Sequence, residues 1–303
     1  MRIVYFGTAS FAVPALRAVA PHVVLVVSQP DRPGRRGMQL QASPVKQAAL
    51  DLGLPVETPE KSRVPEFVER LRSLDADVLL VAAYGQILST AVLESAKKGG
   101  INLHGSILPK YRGAAPIQRC ILAGDAETGV TLMQMDKGMD TGNMIAIERT
   151  PIGPDETYGE VQDRLAEIAA GMARAWMPRV VAGDYPRTSQ NHDEATVAPK
   201  VEKAEAELSF ERPAGEEYNR FRAFTPSPGA FIRTRFGLVK LSRARLGTEE
   251  GAPGVVMSTA ESCQVGFGEG SLHLLELQPE GKKRMTGKDF ANGLRLRVGD
   301  SLL

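Results

Sequence analysis

The chain has 303 residues, 43% hydrophobic and 24% charged, which predicts a globular protein of about two domains. Its formal net charge of +1 does not by itself predict a polyanionic partner. No run of 18 apolar residues occurs, so a membrane-spanning helix is not expected. The two cysteines, Cys120 and Cys263, lie far apart. That spacing argues against a disulfide framework or a zinc site, and we expect a metal-free cytoplasmic protein.

Residues 1–183 alternate short apolar runs with helical periodicity. The apolar runs predict buried strands at 2–6, 23–28, 78–82 and 100–103. The periodic stretches predict helices at 11–20, 43–52 and 64–73, capped at or near Ser10, Ser43 and Ser62, and a long helix within 156–182. Residues 128–135 and 144–149 predict an added strand pair. This order predicts an α/β, doubly wound, Rossmann-like domain with a mostly parallel sheet.

The remainder of the chain predicts a linker and a second domain. Residues 184–207 are polar and lack apolar periodicity, as expected of an interdomain linker. In residues 208–303 a short helix at 214–223 precedes several short strands with glycine turns, which predict a small β-barrel of the oligonucleotide-binding (OB-like) type. This part carries 14 Lys and Arg against 11 Asp and Glu, a mild excess that permits RNA binding.

One glycine motif is incomplete. Gly7 follows the first predicted strand, but the other glycines of a dinucleotide-binding fingerprint are absent. We therefore interpret Gly7 as part of a tight strand-to-helix turn and do not expect a nicotinamide cofactor.

Residues 102–143 contain the candidate catalytic residues. Asn102 and His104 end a predicted strand and, one residue apart, point to the same face. Doubly wound sheets bind ligands at this end of their strands. His104 begins a long loop rich in glycine and proline, and loops of this length in compact domains are usually functional. Asp140 lies in a turn after the next predicted strand, and Asp136 in the same segment has the pattern of a simple turn aspartate.

Several segments in chain order resemble the methionyl-tRNA formyltransferase family, among them MRIVYFGTASFAVPAL, INLHGSILPKYRGAAPIQ, MDKGMDTGNM and LQPEGKKRM. The resemblance covers almost the whole chain. It implies that Asn102, His104 and Asp140 are the catalytic residues. It also implies that 10-formyltetrahydrofolate donates a formyl group to the α-amino group of methionine on initiator tRNA.

These residue types suit formyl transfer. Attack of an amine on a formamide-like carbonyl creates a negative oxygen, which Asn102 and a protonated His104 can stabilise, each donor being worth about 10²–10³ in rate. Asp140 can orient or charge the imidazole and accept the proton of the attacking amine, a role worth about 10²–10⁴. Neither a metal nor a covalent intermediate is required.

The resemblance also implies two binding regions. The folate would contact two loops and a turn, at Gly85, Gln86, Leu88, Ser106, Ile107, Leu108, Pro109, Asp136 and Gly138. The tRNA would contact a basic loop at 31–44 and a C-terminal patch, through Arg32, Arg35, Arg36, Lys282, Lys283 and Arg284. Arginines suit phosphates and unpaired bases, although basic loops are often only solvated. We expect a monomer.

Three alternatives remain open at this point. An amino-sugar N-formyltransferase shares the Asn, His and Asp set. A glycinamide ribonucleotide formyltransferase has essentially one domain, whereas this chain continues for about 95 residues beyond the linker. A folate- or RNA-binding module without catalysis would not need the intact set of three residues. The basic loop and the basic C-terminal part favour tRNA over a nucleotide sugar as the acceptor.

Overall fold

The computed structural model describes residues 1–33 and 40–303. The chain forms two compact units. Unit 1 contains residues 1–116, 127–150 and 162–199, and unit 2 contains residues 117–126, 151–161 and 200–303.

The strands and helices of the chain have the following bounds. The strands are β1 (Ile3–Gly7), β2 (Val23–Val27), β3 (Arg32–Pro33), β4 (Leu40–Gln41), β5 (Val56–Glu57), β6 (Val78–Ala82), β7 (Gly100–His104), β8 (Arg112–Gly113), β9 (Glu127–Gln134), β10 (Met144–Pro151), β11 (Val197–Ala198), β12 (Glu207–Leu208), β13 (Phe231–Thr234), β14 (Gly237–Gly247), β15 (Val256–Ser258), β16 (Cys263–Gly266), β17 (Ser271–Pro279) and β18 (Met285–Thr286). The α-helices are α1 (Val13–Val19), α2 (Pro44–Asp51), α3 (Pro65–Ser73), α4 (Thr90–Leu93), α5 (Pro116–Ala123), α6 (Tyr158–Ala182), α7 (Ala214–Ala223) and α8 (Gly287–Gly293).

Unit 1 contains a seven-stranded sheet in the order β10-β9-β7-β6-β1-β2-β5. The pairs from β7 through β6, β1 and β2 to β5 are parallel, and β9 joins β7 antiparallel. β1 and β6 are buried along their whole length, because parallel strands are covered on both faces. One face packs Val4, Phe6 and Leu79 against Phe67 and Leu71 of α3. The predicted parallel sheet and its added strand pair are confirmed.

Unit 2 contains a curled antiparallel sheet in the order β12-β13-β14-β17-β16-β15, with β18 beside β17 and only the β12/β13 pair parallel. The long strand β14 changes register twice between Leu241 and Ala244, and such irregularities bend and twist a strand. The core of this unit packs sheet residues such as Ile232 and Leu272 against Phe221 of α7 and Phe290 of α8.

The predicted helix caps have mixed outcomes. The Ser43 hydroxyl accepts a hydrogen bond from the Lys46 amide and caps α2, as predicted. The predictions for Ser10 and Ser62 were wrong. The Ser10 hydroxyl accepts from Gln162, and the Ser62 hydroxyl donates to the Gln86 side chain. Both serines are therefore used in tertiary contacts instead of local ones.

Candidate active site

Asn102 and His104 lie at the carboxyl end of β7, between parallel β6 and antiparallel β9. Their positions along the strand direct both side chains to one face. His104 is buried, with 5% of its surface exposed, and Asn102 is partly buried. The sheet therefore places an amide and an imidazole at the edge where open α/β sheets bind ligands.

Asp140 joins these two side chains from the turn between β9 and β10. Its Oδ1 accepts a hydrogen bond from Asn102 Nδ2 at 3.3 Å, and its Oδ2 lies 3.6 Å from His104 Nδ1. The same Oδ2 accepts a hydrogen bond from the Gly113 amide at 2.9 Å. The structure thus brings the three predicted catalytic residues together around one carboxylate.

Each ring nitrogen of His104 faces a hydrogen-bond acceptor. Its Nε2 lies 2.9 Å from the Tyr111 carbonyl oxygen, which can only accept a hydrogen bond, so Nε2 carries a proton. Its Nδ1 faces the Asp140 carboxylate, which is also an acceptor. The ring is therefore oriented by the Tyr111 carbonyl, with its Nδ1 edge toward Asp140.

The turn that carries Asp140 is backbone-strained. Asp140 has a φ of 54°, in the left-handed region that non-glycine residues rarely adopt. Before it, Asp136 accepts hydrogen bonds from the Gly138 amide and the Thr141 hydroxyl, which is the turn role expected for Asp136. A Cβ atom at Gly138 would collide with the Thr141 hydroxyl, so glycine is required there. The turn is therefore held by specific local contacts.

The predicted folate residues after β6 present mainly backbone. Gly85 is exposed and has a φ of +87°, and Leu88 belongs to the core. The Gln86 side chain accepts from the Ser62 amide and hydroxyl and donates to the Glu60 carbonyl, so its amide group is already used. The neighbouring Ile87 is 91% exposed, which is unusual for a large apolar side chain and leaves apolar surface beside this loop.

The loop after β7 is partly closed to ligands. Ser106 and Leu108 are buried, and the Ser106 hydroxyl donates to the Lys110 carbonyl at 2.7 Å, so this hydroxyl stabilises the loop. Ile107 and Pro109 remain partly exposed. Contacts from this loop to a folate, if made by side chains, would therefore come from Ile107 and Pro109.

A cavity of about 930 Å³ in unit 1 lies at the amino end of β7, and Asn102, His104 and Asp140 are not among its lining residues. Its lining includes Leu93, Gly100, Met135 and Lys137, and of the predicted folate set it includes Asp136. Its volume falls within the range of small-molecule sites, about 300–1,000 Å³.

The predicted tRNA residues are placed only in part. Arg32 is exposed, and its guanidinium lies 3.5 Å from the Gln29 side-chain oxygen. Arg35 and Arg36 lie outside the described residues. Lys282, Lys283 and Arg284 are all exposed, in the turn between β17 and β18. Each of these assignments stays a prediction.

Residues 1–33 and 40–303 contain neither a metal-binding cluster of side chains nor a helix able to span a membrane. No group of three or more His, Cys, Asp or Glu side chains in this part of the chain is arranged to hold a metal ion. No helix there has both the length and the apolar composition to cross a membrane.

Sequence reasoning missed Arg112 and Gln190. Both are buried, and the Arg112 guanidinium donates to the Gln190 side-chain oxygen at 2.6 Å and 3.1 Å. Gln190 in turn donates to the backbone of the Asp140 turn. Gln190 falls in the segment predicted as a linker, where its burial has no hydrophobic pattern to reveal it.

Comparison with family models gives two matches in chain order. The formyl transferase family model matches residues 1–181, and the model of the formyl transferase C-terminal domain matches residues 200–295. Among solved structures, the fold resembles an N-formyltransferase from Helicobacter canadensis in complex with folinic acid and dTDP-3-aminofucose. That match has a TM-score of 0.67 at 20% identity and covers 90% of this chain and 98% of the other.

Curated sequences give much higher identity over almost the whole length. The chain is 47% identical to a methionyl-tRNA formyltransferase of Symbiobacterium thermophilum, covering 99% of this chain and 94% of that protein. It is 46% identical to the enzyme of the same name from Myxococcus xanthus, covering 98% and 96%. A Neisseria meningitidis relative with this name is 46% identical over the full length of both chains. Together with both domain matches, these identities show that the chain belongs to the methionyl-tRNA formyltransferase family.

Proposed function

We propose that this chain transfers the formyl group of 10-formyltetrahydrofolate to the α-amino group of methionyl-initiator tRNA, giving N-formylmethionyl-tRNA for translation initiation. The observation that carries the proposal is the convergence of Asn102 and His104 on the Asp140 carboxylate, at 3.3 Å and 3.6 Å. The near full-length identity to relatives named for this reaction supports the choice of acceptor.

Each of the three side chains has a distinct role in the proposed mechanism. Asn102, whose Nδ2 has one N–H beyond the one given to Asp140, donates to the negative oxygen that forms when the amine adds to the formyl carbon. The Nδ1–H of a protonated His104 is the ring donor left for the same oxygen, because Nε2 is bound to the Tyr111 carbonyl and Nδ1 lies 3.6 Å from Asp140, longer than a hydrogen bond. Asp140 accepts the proton that the amine loses. The same proton, or one from His104, then protonates the departing folate nitrogen as its bond to the formyl carbon breaks.

The donor fits the loop that follows β6. Its exposed Gly85 backbone offers hydrogen-bonding groups, the Gln86 side chain is already occupied, and Ile87 presents apolar surface for an aromatic ring. Binding through backbone and apolar contact suits a neutral, flat pterin and benzoyl group. We therefore assign donor binding to Gly85, Gln86 and Leu88, with the Ser106–Pro109 loop (residues 106–109) and the Asp136–Gly138 turn (residues 136–138) as further walls.

The tRNA contacts are proposed on charge and position. Arg32, Arg35 and Arg36 belong to the basic sequence segment 31–44, and Lys282, Lys283 and Arg284 form an exposed basic turn in unit 2. We further propose that the curled sheet of unit 2 is an OB-like barrel. The long bent strand β14 and the order of its neighbours support this assignment.

The proposal also includes the domain boundaries, the oligomeric state and the cellular location of the chain. We propose a catalytic domain of residues 1–183, a connecting segment of residues 184–207, of which 184–199 belong to unit 1, and a tRNA-binding domain of residues 208–303. We also propose that the chain acts as a monomer in the cytoplasm, where charged initiator tRNA and reduced folates are available.

The test is a transfer assay with a choice of acceptors. The purified chain is incubated with 10-formyltetrahydrofolate and methionyl-initiator tRNA, a nucleotide-linked amino sugar, or N-acetylmethionyl-tRNA, and the products are identified by mass spectrometry. We expect formylation of methionyl-tRNA alone, because the N-acetylated control has no free amine. Formylation of the sugar without formylation of the tRNA would replace the proposed acceptor.

A further inference from the structure

Residues 182–199, which neither family match includes, pack within unit 1 against the loop that follows His104 and against the start of β10. The Thr188 and Met144 backbones exchange two hydrogen bonds, at 2.8 Å and 2.9 Å. The Arg112 amide donates to the Thr196 carbonyl at 2.8 Å, and the Ala114 amide donates to the Ala198 carbonyl at 2.9 Å. Strand β11 accordingly pairs with β8, which follows the His104 loop. This part of the predicted linker is therefore a wall of the active-site region.

Gln190 is the centre of this attachment. It is 5% exposed, and its amide makes four hydrogen bonds, the full capacity of the group. Nε2 donates to the carbonyl oxygens of Asp140 and Gly142, each at 2.8 Å. Oε1 accepts from Nε and Nη2 of Arg112, whose guanidinium also lies 3.1 Å from His192 Nδ1.

The orientation of the Gln190 amide follows from these partners. Arg112 can only donate, so it fixes Oε1 on its own side and directs Nε2 toward the two carbonyl groups. Those carbonyls flank Thr141, so Gln190 holds the backbone of the turn on both sides of that residue. Through Arg112, the Gln190 amide thus connects the backbone of the Asp140 turn to the loop that follows His104.

Asp140 needs such a support. Its φ of 54° is costly for a residue with a Cβ, and a conformation of this kind persists when the surrounding structure holds it. Two of its contacts in the candidate site are long, 3.3 Å to Asn102 and 3.6 Å to His104. A small rotation of the turn would therefore separate the carboxylate from the imidazole.

We propose that Gln190 is a positioning residue for Asp140: it holds the turn in the conformation that keeps the carboxylate between Asn102 and His104, and Arg112 orients it. Gln190 acts through Asp140 and does not touch the substrates. The inference rests on the proposed role of Asp140 in formyl transfer. On this proposal, the residues that follow the first family match, which ends at residue 181, help to position the carboxylate used in formyl transfer.

The substitution Gln190→Glu tests the proposal directly. It keeps the side-chain length and the pairing with Arg112, but it replaces the Nε2 donor with an oxygen that faces two carbonyl groups. We expect kcat to fall about 10–100-fold, as for a misplacement of about 1 Å, while KM for each substrate changes by less than about twofold. Gln190→Met, which removes all four hydrogen bonds without adding charge, is the second variant. Gln47→Glu and Gln47→Met, on the exposed face of α2, are the matched controls.

A double-mutant cycle separates positioning from general structural support. If Gln190 acts through Asp140, then Gln190→Met costs less than about threefold in single-turnover rate when Asp140→Asn is already present. Equal losses in both backgrounds would overturn the proposal, and so would wild-type kcat in both Gln190 variants.

A second readout does not depend on activity. The NMR shifts of the His104 ring nitrogens are expected to move in Gln190→Glu or Gln190→Met and to remain unchanged in the Gln47 variants. Unchanged His104 shifts in both Gln190 variants would refute the positioning role. If the wild-type chain formylates neither acceptor, the proposed function fails, while these shifts still decide whether Gln190 holds the Asp140 turn.

Discussion

Asp140→Asn is the most informative substitution, because it changes the carboxylate on which Asn102 and His104 converge. The carboxylate accepts from two donors, the Gly113 amide at 2.9 Å and Asn102 Nδ2 at 3.3 Å. Asparagine has one oxygen and one NH₂ group, so one of these donors would face another donor in either orientation. The substitution also removes the negative charge beside His104 and the proposed proton acceptor.

The size of the effect follows from these losses. An unsatisfied hydrogen-bonding group costs about 1–3 kcal/mol, so the free energy of unfolding is expected to fall by about that amount. Loss of a general base costs about 10²–10⁴ in rate, and we expect kcat to fall within that range. The Kd for the folate is expected to stay within about threefold, because its proposed contacts are mainly backbone groups on other loops.

The assay combines single-turnover formyl transfer with a urea unfolding curve and a folate-binding titration. Asp51→Asn is the matched control, since Asp51 is an exposed aspartate that accepts one side-chain hydrogen bond from Gln47. A near wild-type transfer rate in Asp140→Asn would refute the assigned role. A loss of rate that is matched by loss of folded protein would show that the residue acts through stability alone.

Three further predictions use other parts of the molecule. Replacing Lys282, Lys283 and Arg284 together by alanine should raise the KM for tRNA and flatten its log–log salt dependence by about one unit per lost phosphate contact, with the folate KM as control; an unchanged salt slope would exclude this patch. Ser43→Ala should cost about 1 kcal/mol in urea unfolding, because the hydroxyl caps α2; an unchanged midpoint would contradict this. Burial raises the pKa of the Cys263 thiol from 9.0 to about 12, so disulfide reagents at pH 8 should label it only after unfolding. Between about pH 9 and 12 the unfolded chain loses this proton while the folded chain keeps it, so unfolding free energy should fall as pH rises, and less steeply in Cys263→Ala.

The parallel sheet and the location of the site could be predicted because both depend on hydrophobic pattern. The strand at 78–82 is a continuous apolar run, the strand at 100–104 carries buried Ile101 and Leu103, and the carboxyl ends of such parallel strands meet at one edge of the sheet. Asn102 and His104 were therefore predictable on residue spacing alone. Asp140 was not, because its turn has no periodicity, and its role came from resemblance to a family.

The support around Asp140 could not be predicted from the pattern of residues. Gln190 and Arg112 act through backbone carbonyls and one another, and such hydrogen bonds leave no periodic signal in a polar segment. The strands β8 and β11 are two residues long, too short to show alternation. The misassigned cap at Ser62 has the same cause, since its partner Gln86 lies 24 residues away in the sequence.

The pairing of β8 with β11 affects where this enzyme can be divided. A fragment that stops at residue 181 would keep Asn102, His104 and Asp140 but would leave the buried Arg112 guanidinium without Gln190, a costly loss for a charged group. Chimeras that exchange the C-terminal part at this boundary would likewise place a relative's segment, in place of Gln190 and its neighbours, against the Asp140 turn. A junction placed after Pro199 would retain the native segment, so recombination between relatives is expected to preserve activity better at that point.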